Sequence, residues 1–324
     1  MFKLIKYFIK ETLVAFVFKD GKYIVQKQVV KSNKILEKEE FEFNEEEFKK
    51  FIQSCFIENT HTYISTIIDT FNQGVVDSCN HSRYKELGIN LDNIKILCLK
   101  NYSIFIGLYE LNLFQKELQK FSIDFIFSPY LLVDLHKKTT PNSLYILITD
   151  NFVIVLIYED GIKPKYSNIY QFKIDEGDTL DEDEEIENLD EEIDNIDLVD
   201  DIEELDDIEE LDDNLDEEIE NLDESVDNIE DLEKSDDIED DDDIETIIEV
   251  KNEIETLDFI KNSIKDYYES YSDNFLEYGY IFYDKSVSKK FIKDIENETF
   301  LEVSSSKLDL LTAINELALK EINV

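Results

Sequence analysis

The sequence has few of the residues on which several kinds of site depend. Its 324 residues include seven glycines, three histidines and three cysteines. The cysteines, Cys55, Cys79 and Cys98, are odd in number and widely spaced, so they predict neither a disulfide framework nor a paired Cys-x-x-Cys metal site. This usage favours a reducing compartment.

Long apolar segments are also missing. Three lysines and a glutamate fall within the first eleven residues, which leaves no uninterrupted apolar region for a signal peptide. The longest apolar run, 144–158, is broken by Asp150 and Asn151 and is shorter than the roughly 20 residues that span a bilayer. We therefore expect a cytoplasmic protein.

Basic residues are scarce in one region, and this gives the net charge of −47. Between Asp175 and Glu249 there are 43 of the 79 acidic residues and a single lysine, Lys234. The rest of the chain is only mildly acidic. Phosphates would be repelled and no basic stripe is present, so the composition argues against nucleic-acid binding.

The region after Asn142 predicts one half of an α/β fold. Three strand-like runs, Leu144–Thr149, Phe152–Glu159 and Tyr166–Ile174, are separated by the turn pairs Asp150-Asn151 and Asp160-Gly161. After the acidic tract, helices alternate with strands: helix Thr256–Tyr271, strand Glu277–Tyr283, helix Ser286–Asn297, strand Phe300–Val303 and helix Ser306–Ile322. This order indicates a ribonuclease H-like or actin-like half.

The region before Asn142 follows a similar plan. Leu13–Phe18 and Lys22–Val30 flank the hairpin signal Asp20-Gly21. Further elements follow: a strand at Phe41–Phe43, a helix from Asn44 to about Cys55, a strand at Thr62–Ile68, an irregular segment at Phe71–Leu87, apolar runs at Ile94–Leu99 and Ile104–Leu108, a helix at Tyr109–Phe121, a strand at Ile123–Phe127 and a short helix at Tyr130–His136.

We therefore predict two related actin-like halves with mixed sheets. The first covers 1–142, and the second covers 143–174 together with 252–324. An acidic low-complexity insert at 175–251 interrupts the second half. Apolar residues in the insert recur every three or four positions, which favours a helix, whereas its unbalanced negative charge favours disorder. The insert is thus a mobile spacer, a segment that folds on a basic partner, or a loose binder of divalent cations.

The chain resembles the actin-like cytoplasmic assembly proteins of type II secretion, type IV pilus and DNA-uptake machines (PilM/GspL-like). The features that carry the resemblance are the helix-to-strand exit Ile123–Tyr130 with its Ser-Pro-aromatic end, the strands 144–159 that turn at Asp160-Gly161-Ile162, and the closing helix 308–321. The resemblance implies a scaffold that links inner-membrane assembly proteins to a motor ATPase and that reaches the inner membrane peripherally, through these partners. Some members of the family also bind ATP.

Phosphate binding is the property that the residues support least. Actin-like ATPases hold phosphates with Gly-rich turns at the first hairpin of each half, because only glycine lets backbone N–H groups approach so closely. Here Asp20-Gly21 contains one glycine and Asp150-Asn151 contains none. These four positions are interpreted as a degenerate phosphate site, with Asp20 and Asp150 acting as turn residues. We expect no cofactor and no ATP hydrolysis.

Other interpretations stay open at this point. The chain could be an actin-like ATPase or a sugar- or acetate-kinase relative, with Asp20 or Asp150 holding a magnesium-bound water. It could also be an acidic protein that masks basic partners. Finally, Cys79 and His81, with His61 upstream, form the one His/Cys cluster, whose spacing matches no zinc pattern and favours a polar loop.

Overall fold

The computed structural model describes residues 9–59, 61–172, 241–271, 274–285 and 287–323. The chain divides into one unit made of Met1–Lys173 and Lys251–Val324 and another made of Ile174–Val250. Most of the predicted acidic insert, 175–251, lies outside the described residues. Its disordered or partly helical state and its basic partner therefore stay predictions.

Within the described residues, the strands are β1 (Glu11–Lys19), β2 (Lys22–Lys31), β3 (Lys34–Phe43), β4 (Thr62–Ile67), β5 (Gln73–Val76), β6 (Ile94–Cys98), β7 (Ser103–Gly107), β8 (Phe125–Phe127), β9 (Ser143–Ile148), β10 (Phe152–Tyr158), β11 (Pro164–Gln171), β12 (Tyr278–Tyr283) and β13 (Glu302–Lys307). The α-helices are α1 (Glu45–Glu58), α2 (His81–Glu86), α3 (Leu108–Leu118), α4 (Tyr130–His136), α5 (Asp241–Ser270), α6 (Lys289–Thr299) and α7 (Leu310–Ile322).

Two five-stranded sheets repeat one topology. Their strand orders are β3-β2-β1-β4-β8 and β11-β10-β9-β12-β13. In each sheet the first three strands pair antiparallel as a meander, and the last two pair parallel on the other side of the first strand. This is the duplicated mixed sheet of an actin-like fold, and it confirms the predicted fold class.

Local sequence explains several of these elements. Asp20 and Gly21 have φ angles of 49° and 74°, as the two central residues of a tight β1–β2 hairpin require. Asn44 caps α1: its side chain accepts the Glu47 N–H at 3.0 Å, and the Glu47 carboxylate accepts the Asn44 N–H at 3.2 Å.

The prediction of an irregular segment at Phe71–Leu87 is wrong. The segment contains β5 and α2, and β5 pairs antiparallel with β7 in a three-stranded sheet of order β5-β7-β6. The Val75 N–H also donates to the Ser167 hydroxyl of β11 at 2.9 Å. Tertiary pairing makes a strand of four residues whose own sequence carries little strand signal.

Several predicted boundaries also shift. Strand β3 begins at Lys34, seven residues before the predicted Phe41, because it pairs with β2 along its length. Helix α5 begins at Asp241, well before the predicted Thr256, so the end of the predicted insert is helical. Strand β13 runs to Lys307, because its residues pair with β12 up to Tyr283. Helix α7 therefore begins after Asp309, whose side chain accepts the Thr312 N–H at 2.9 Å.

The buried side chains form three clusters. Helix α1 covers the outer face of the first sheet with Phe48 and Ile52, and α5 and α6 cover the outer face of the second. The third cluster contains residues of both sheets, such as Leu13 and Leu147, together with Ile314 of α7. The two halves thus share one continuous central core. Among the described residues, no helix is both long and apolar enough to cross a membrane.

Candidate functional site

The β1–β2 turn and the β9–β10 turn occupy the same position in their two sheets, and they contact each other. The Lys19 Nζ donates to Asp150 Oδ2 at 2.6 Å, so an ion pair joins the two turns. The Asn151 Nδ2 donates to the Phe18 carbonyl at 3.4 Å beside it. Actin-like ATPases hold phosphates at these two turns, and in this chain side chains bridge the gap between them.

The ion pair is partly open to water. The side chains of Lys19 and Asp150 keep 42% and 35% of their surface exposed. The hydrogen bond to Asp150 raises the pKa of Lys19 above its ordinary value, and the carboxylates of Asp20 and Asp284 act in the same direction. The ammonium of Lys19 is thus the cation of a cluster of carboxylates.

Two further aspartates lie near the second turn, and they follow equivalent strands. Asp69 follows β4, and the Asn151 side chain lies beside its carboxylate. The Asp69 carbonyl accepts the Gln171 Nε2 at 2.8 Å, which adds a second link between the halves. Burial raises the pKa of Asp69.

Asp284 is the counterpart of Asp69 in the second sheet, because it follows β12. Its Oδ1 accepts the Leu310 N–H at 3.1 Å, at the first residue of α7. Burial raises the pKa of Asp284, and the nearby carboxylates of Asp150 and Asp309 add to the effect. Asp284 therefore connects the turn of the second sheet to the start of the closing helix.

The four positions that the sequence marks as degenerate phosphate positions do not all take part in the contact between the turns. Asp150 and Asn151 make the contacts between the turns, whereas Asp20 and Gly21 form the tip of the first hairpin. A Cβ placed on Gly21 would meet nothing within 4 Å. The glycine there serves the positive φ of the turn, and nothing approaches it closely. Their role as degenerate phosphate positions stays a prediction.

Sequence reasoning missed Lys19, Asp69 and Asp284. Lys19 lies directly before the predicted turn, and its partner lies 131 positions further along the chain. Asp69 and Asp284 share a signal that the sequence does contain: each follows the fourth strand of its half. A comparison of the two halves strand by strand would have paired them.

The arrangement favours mutual attachment of the halves over the binding of a polyphosphate. The cluster holds one ammonium close to three carboxylates, those of Asp20, Asp150 and Asp284, so a triphosphate without a cation would be repelled. In addition, the donors of Lys19 and Asn151 already have acceptors across the gap, which are the Asp150 carboxylate and the Phe18 carbonyl. The interactions at this site, an ion pair and a hydrogen bond, join the two halves.

A separate cavity of about 160 Å³ lies beside α4 and α7, lined in part by His136, Phe282, Thr312 and Glu316. Ligand pockets usually have volumes of about 300–1,000 Å³, so this one is too small for a nucleotide. Burial lowers the pKa of His136 there. The cavity therefore offers no second nucleotide site.

The predicted His/Cys cluster is dispersed. His61 precedes β4, whereas His81 is the first residue of α2 and Cys79 precedes it by two residues. No three His, Cys, Asp or Glu side chains among the described residues are grouped so that they could hold a metal ion.

Comparison with known proteins gives two family matches. A family model described as domain of unknown function DUF8569 matches residues 8–134. A second, described as domain of unknown function DUF8341, matches residues 144–323, which is more than half of the chain. The search of curated proteins found no match.

Solved structures with a similar fold include a Bacteroides thetaiotaomicron protein described as having an actin-like ATPase fold and unknown function, with 8% identity, 95% of each chain covered and a TM-score of 0.40. A PilM-PilN type IV pilus biogenesis complex has 8% identity, covers 93% of this chain and 89% of that one, and has a TM-score of 0.47. Acetate kinase from Entamoeba histolytica has 9% identity, covers 96% and 99%, and has a TM-score of 0.41. Similarity at this level carries no argument about activity.

Proposed function

This chain belongs to the family described as domain of unknown function DUF8341, and we propose that it acts as a non-catalytic, actin-like scaffold. Its partners are inner-membrane assembly proteins and a motor ATPase of a secretion, type IV pilus or DNA-uptake machine. It works at the cytoplasmic face of that machine by presenting surfaces.

The contact between the two turns is the observation that supports a non-catalytic role. The ion pair of Lys19 with Asp150, at 2.6 Å, occupies the gap where an actin-like enzyme needs space for phosphates. The second turn also lacks the glycine that lets backbone N–H groups face a phosphate. Binding of a nucleotide would require breaking these contacts first.

The shared core supports the role of a rigid body. Leu147 of β9 and Ile154 of β10 are fully buried in the same cluster as Leu13 of β1. Opening the halves would expose this apolar surface at about 25 cal/mol per Å². A body that stays closed holds its outer surfaces in fixed positions, which is what a scaffold requires.

The assignment to a particular kind of machine rests on the sequence resemblance. The Ser128-Pro129-Tyr130 exit is built into the core: Tyr130 is fully buried, and the Ser128 hydroxyl donates to Gln73 Oε1 at 2.6 Å. The motif therefore has a structural role in this chain. The surface that contacts the partner lies elsewhere and is identified by experiment.

The proposal is tested by capture of partners from detergent-solubilised inner membranes with the full chain as bait. We expect an inner-membrane assembly protein in the captured fraction, unchanged by ATP and magnesium. A matched bait that lacks 175–249 should capture the same protein, because the scaffold surfaces lie in the halves. Capture that is lost with the deletion would support the alternative function, an acidic protein that masks basic partners.

A second candidate function, an actin-like ATPase or a relative of sugar and acetate kinases, is favoured by one observation. Asp150 and Asp284 lie near each other beside the gap, and one or two carboxylates commonly hold a nucleotide-bound magnesium. ATP turnover that falls in both Asp150→Asn and Asp284→Asn would establish this function and overturn the scaffold proposal.

A further inference from the structure

Two cysteines that are far apart in sequence meet on the surface of the three-stranded sheet. Cys98 is the last residue of β6, and Cys79 lies in the segment between β5 and α2. Both side chains are exposed and both thiols are free. The third cysteine, Cys55, is fully buried on the inner face of α1 and so provides an internal comparison.

Hydrogen bonds fix the Cys79 thiol at the end of β6. Its S–H is shared between the Leu99 carbonyl, at 3.9 Å from Sγ, and the Tyr102 carbonyl, at 3.8 Å. Leu99 and Tyr102 close the β6–β7 turn, because the Leu99 N–H donates to the Tyr102 carbonyl. The preceding residue is held as well, because the Ser103 hydroxyl donates to the Ser78 carbonyl at 2.6 Å. Cys98 pairs directly with Ser103 across the β6–β7 ladder.

The Cys79 thiol thus contacts the residue that directly follows Cys98, and the two thiols are neighbours. We propose that Cys79 and Cys98 form a redox-sensitive pair that closes into a disulfide by exchange with a low-molecular-weight disulfide such as oxidised glutathione. The pair joins the start of the 79–98 segment to its end, so closure would lock the edge of the small sheet.

The exchange has two steps. The Cys98 thiolate attacks one sulfur of the small disulfide, which forms a mixed disulfide and releases one small thiolate. The Cys79 thiolate then attacks the Cys98 sulfur, so the protein disulfide forms and the second small thiolate leaves. The two cysteines lose two protons and two electrons, and the small disulfide takes up both and becomes two thiols.

The Cys98 thiol also acts on Cys79. Burial, together with the Cys98 thiol beside it, raises the pKa of Cys79 to about 11. Cys79 is therefore a poor nucleophile at neutral pH while Cys98 is a free thiol, because only the thiolate attacks. A mixed disulfide at Cys98 removes that neighbouring thiol, so the attack by Cys79 becomes easier.

The test uses the reduced full chain exposed to oxidised glutathione, followed by intact mass and peptide mapping. We expect titratable thiols to fall from three to one, with a Cys79–Cys98 peptide, the loss of two hydrogen atoms and no retained glutathione. In Cys79→Ser the reaction should stop at glutathionylated Cys98. The adduct should then be at least about tenfold more abundant than in the unchanged chain, because a neighbouring thiol acts at millimolar or higher effective concentration.

Cys55→Ser is the matched control, and it should give the same internal disulfide. Cys55 staying free throughout shows that the fold is intact during the reaction. The proposal is overturned if the unchanged chain accumulates glutathione on Cys79 or Cys98, if it forms disulfide-linked dimers, or if both thiols stay reduced under conditions that oxidise a free surface cysteine.

Discussion

Strands β3 and β11 hold the same place at the edge of their two sheets, but their surroundings differ. Strand β3 is exposed along most of its length, and half of the surface of Ile35 is open to water. Strand β11 is half-buried, because β5 lies beside it and hydrogen-bonds to Ser167. The small sheet of the first half thus protects the edge of the second, which ties the halves together at a distance from the turns.

The same contrast extends inward. Every residue of β9 and β10 is buried, since one face packs in the shared core and the other packs against α5 and α6. The second sheet is therefore the rigid centre of the molecule, and the outer strands of the first sheet are its most tolerant part. The predictions below test that difference in order of expected size.

The largest effect is expected from a deletion in the shared core. Ile154→Ala in β10 should lower the free energy of unfolding by about 2–5 kcal/mol, because Ile154 is fully buried between the halves. Ile35→Ala on β3 is the matched control and should change it by about 0.5 kcal/mol or less. Urea unfolding measures both, and equal losses would contradict the contrast.

A smaller effect is expected where β5 meets β11. Ser167→Ala removes the acceptor of the Val75 N–H and should cost about 1–2 kcal/mol. Ser305→Ala, on the exposed edge strand β13, is the control and should be nearly neutral. If Ser167→Ala is also neutral in thermal unfolding, the small sheet does not contribute to joining the halves.

The ion pair between the turns should couple more weakly. A double-mutant cycle of Lys19→Met and Asp150→Asn should give about 0.2–1 kcal/mol, because both side chains are partly exposed and are screened by salt. Lys22 with Glu42, an ion pair within the first hairpin, is the comparison and should couple less. The raised pKa of Lys19 predicts that the coupling persists at neutral pH and disappears as pH rises through that pKa.

Ionisation of two carboxylates between the halves, Asp69 and Asp77, should change the stability of the fold in opposite directions as pH rises. Burial raises the pKa of Asp69, so ionised Asp69 weakens the fold as pH rises above the ordinary carboxyl pKa. Asp69→Asn should therefore raise the Tm at pH 7 by a small amount, and the gain should vanish in acid.

Asp77 is the counterpart, and it pairs with Arg83 at 3.0 Å and with Lys165 of β11 at 3.3 Å. Burial acts against ionisation, but the two cations hold the pKa of Asp77 below its ordinary value. The stability from this group is present above the ordinary carboxyl pKa and is lost as pH falls through the lowered one. Asp77→Asn should thus lower the Tm at pH 7, and a rise in Tm there would contradict these signs.

The second half could be predicted from sequence more completely than the first for a physical reason. Strands buried on both faces are continuous apolar runs, so β9 and β10 were identified within one residue of their ends. Strand β5 depends on β7 and β11 for its conformation and carries only four residues, so no local pattern marks it. Of the site, the sequence indicates where the two turns lie in the chain, whereas the contacts of Lys19, Asp69 and Asp284 depend on distant residues.

The central claim is that contacts between the two turns leave no place for a nucleotide. Thermal unfolding with and without 5 mM ATP and magnesium tests it directly, because a site with a Kd of about 50 μM would stabilise the fold by about 2.7 kcal/mol at that concentration. We predict no change in Tm. A saturable rise in Tm that is lost in Asp150→Asn would contradict the claim.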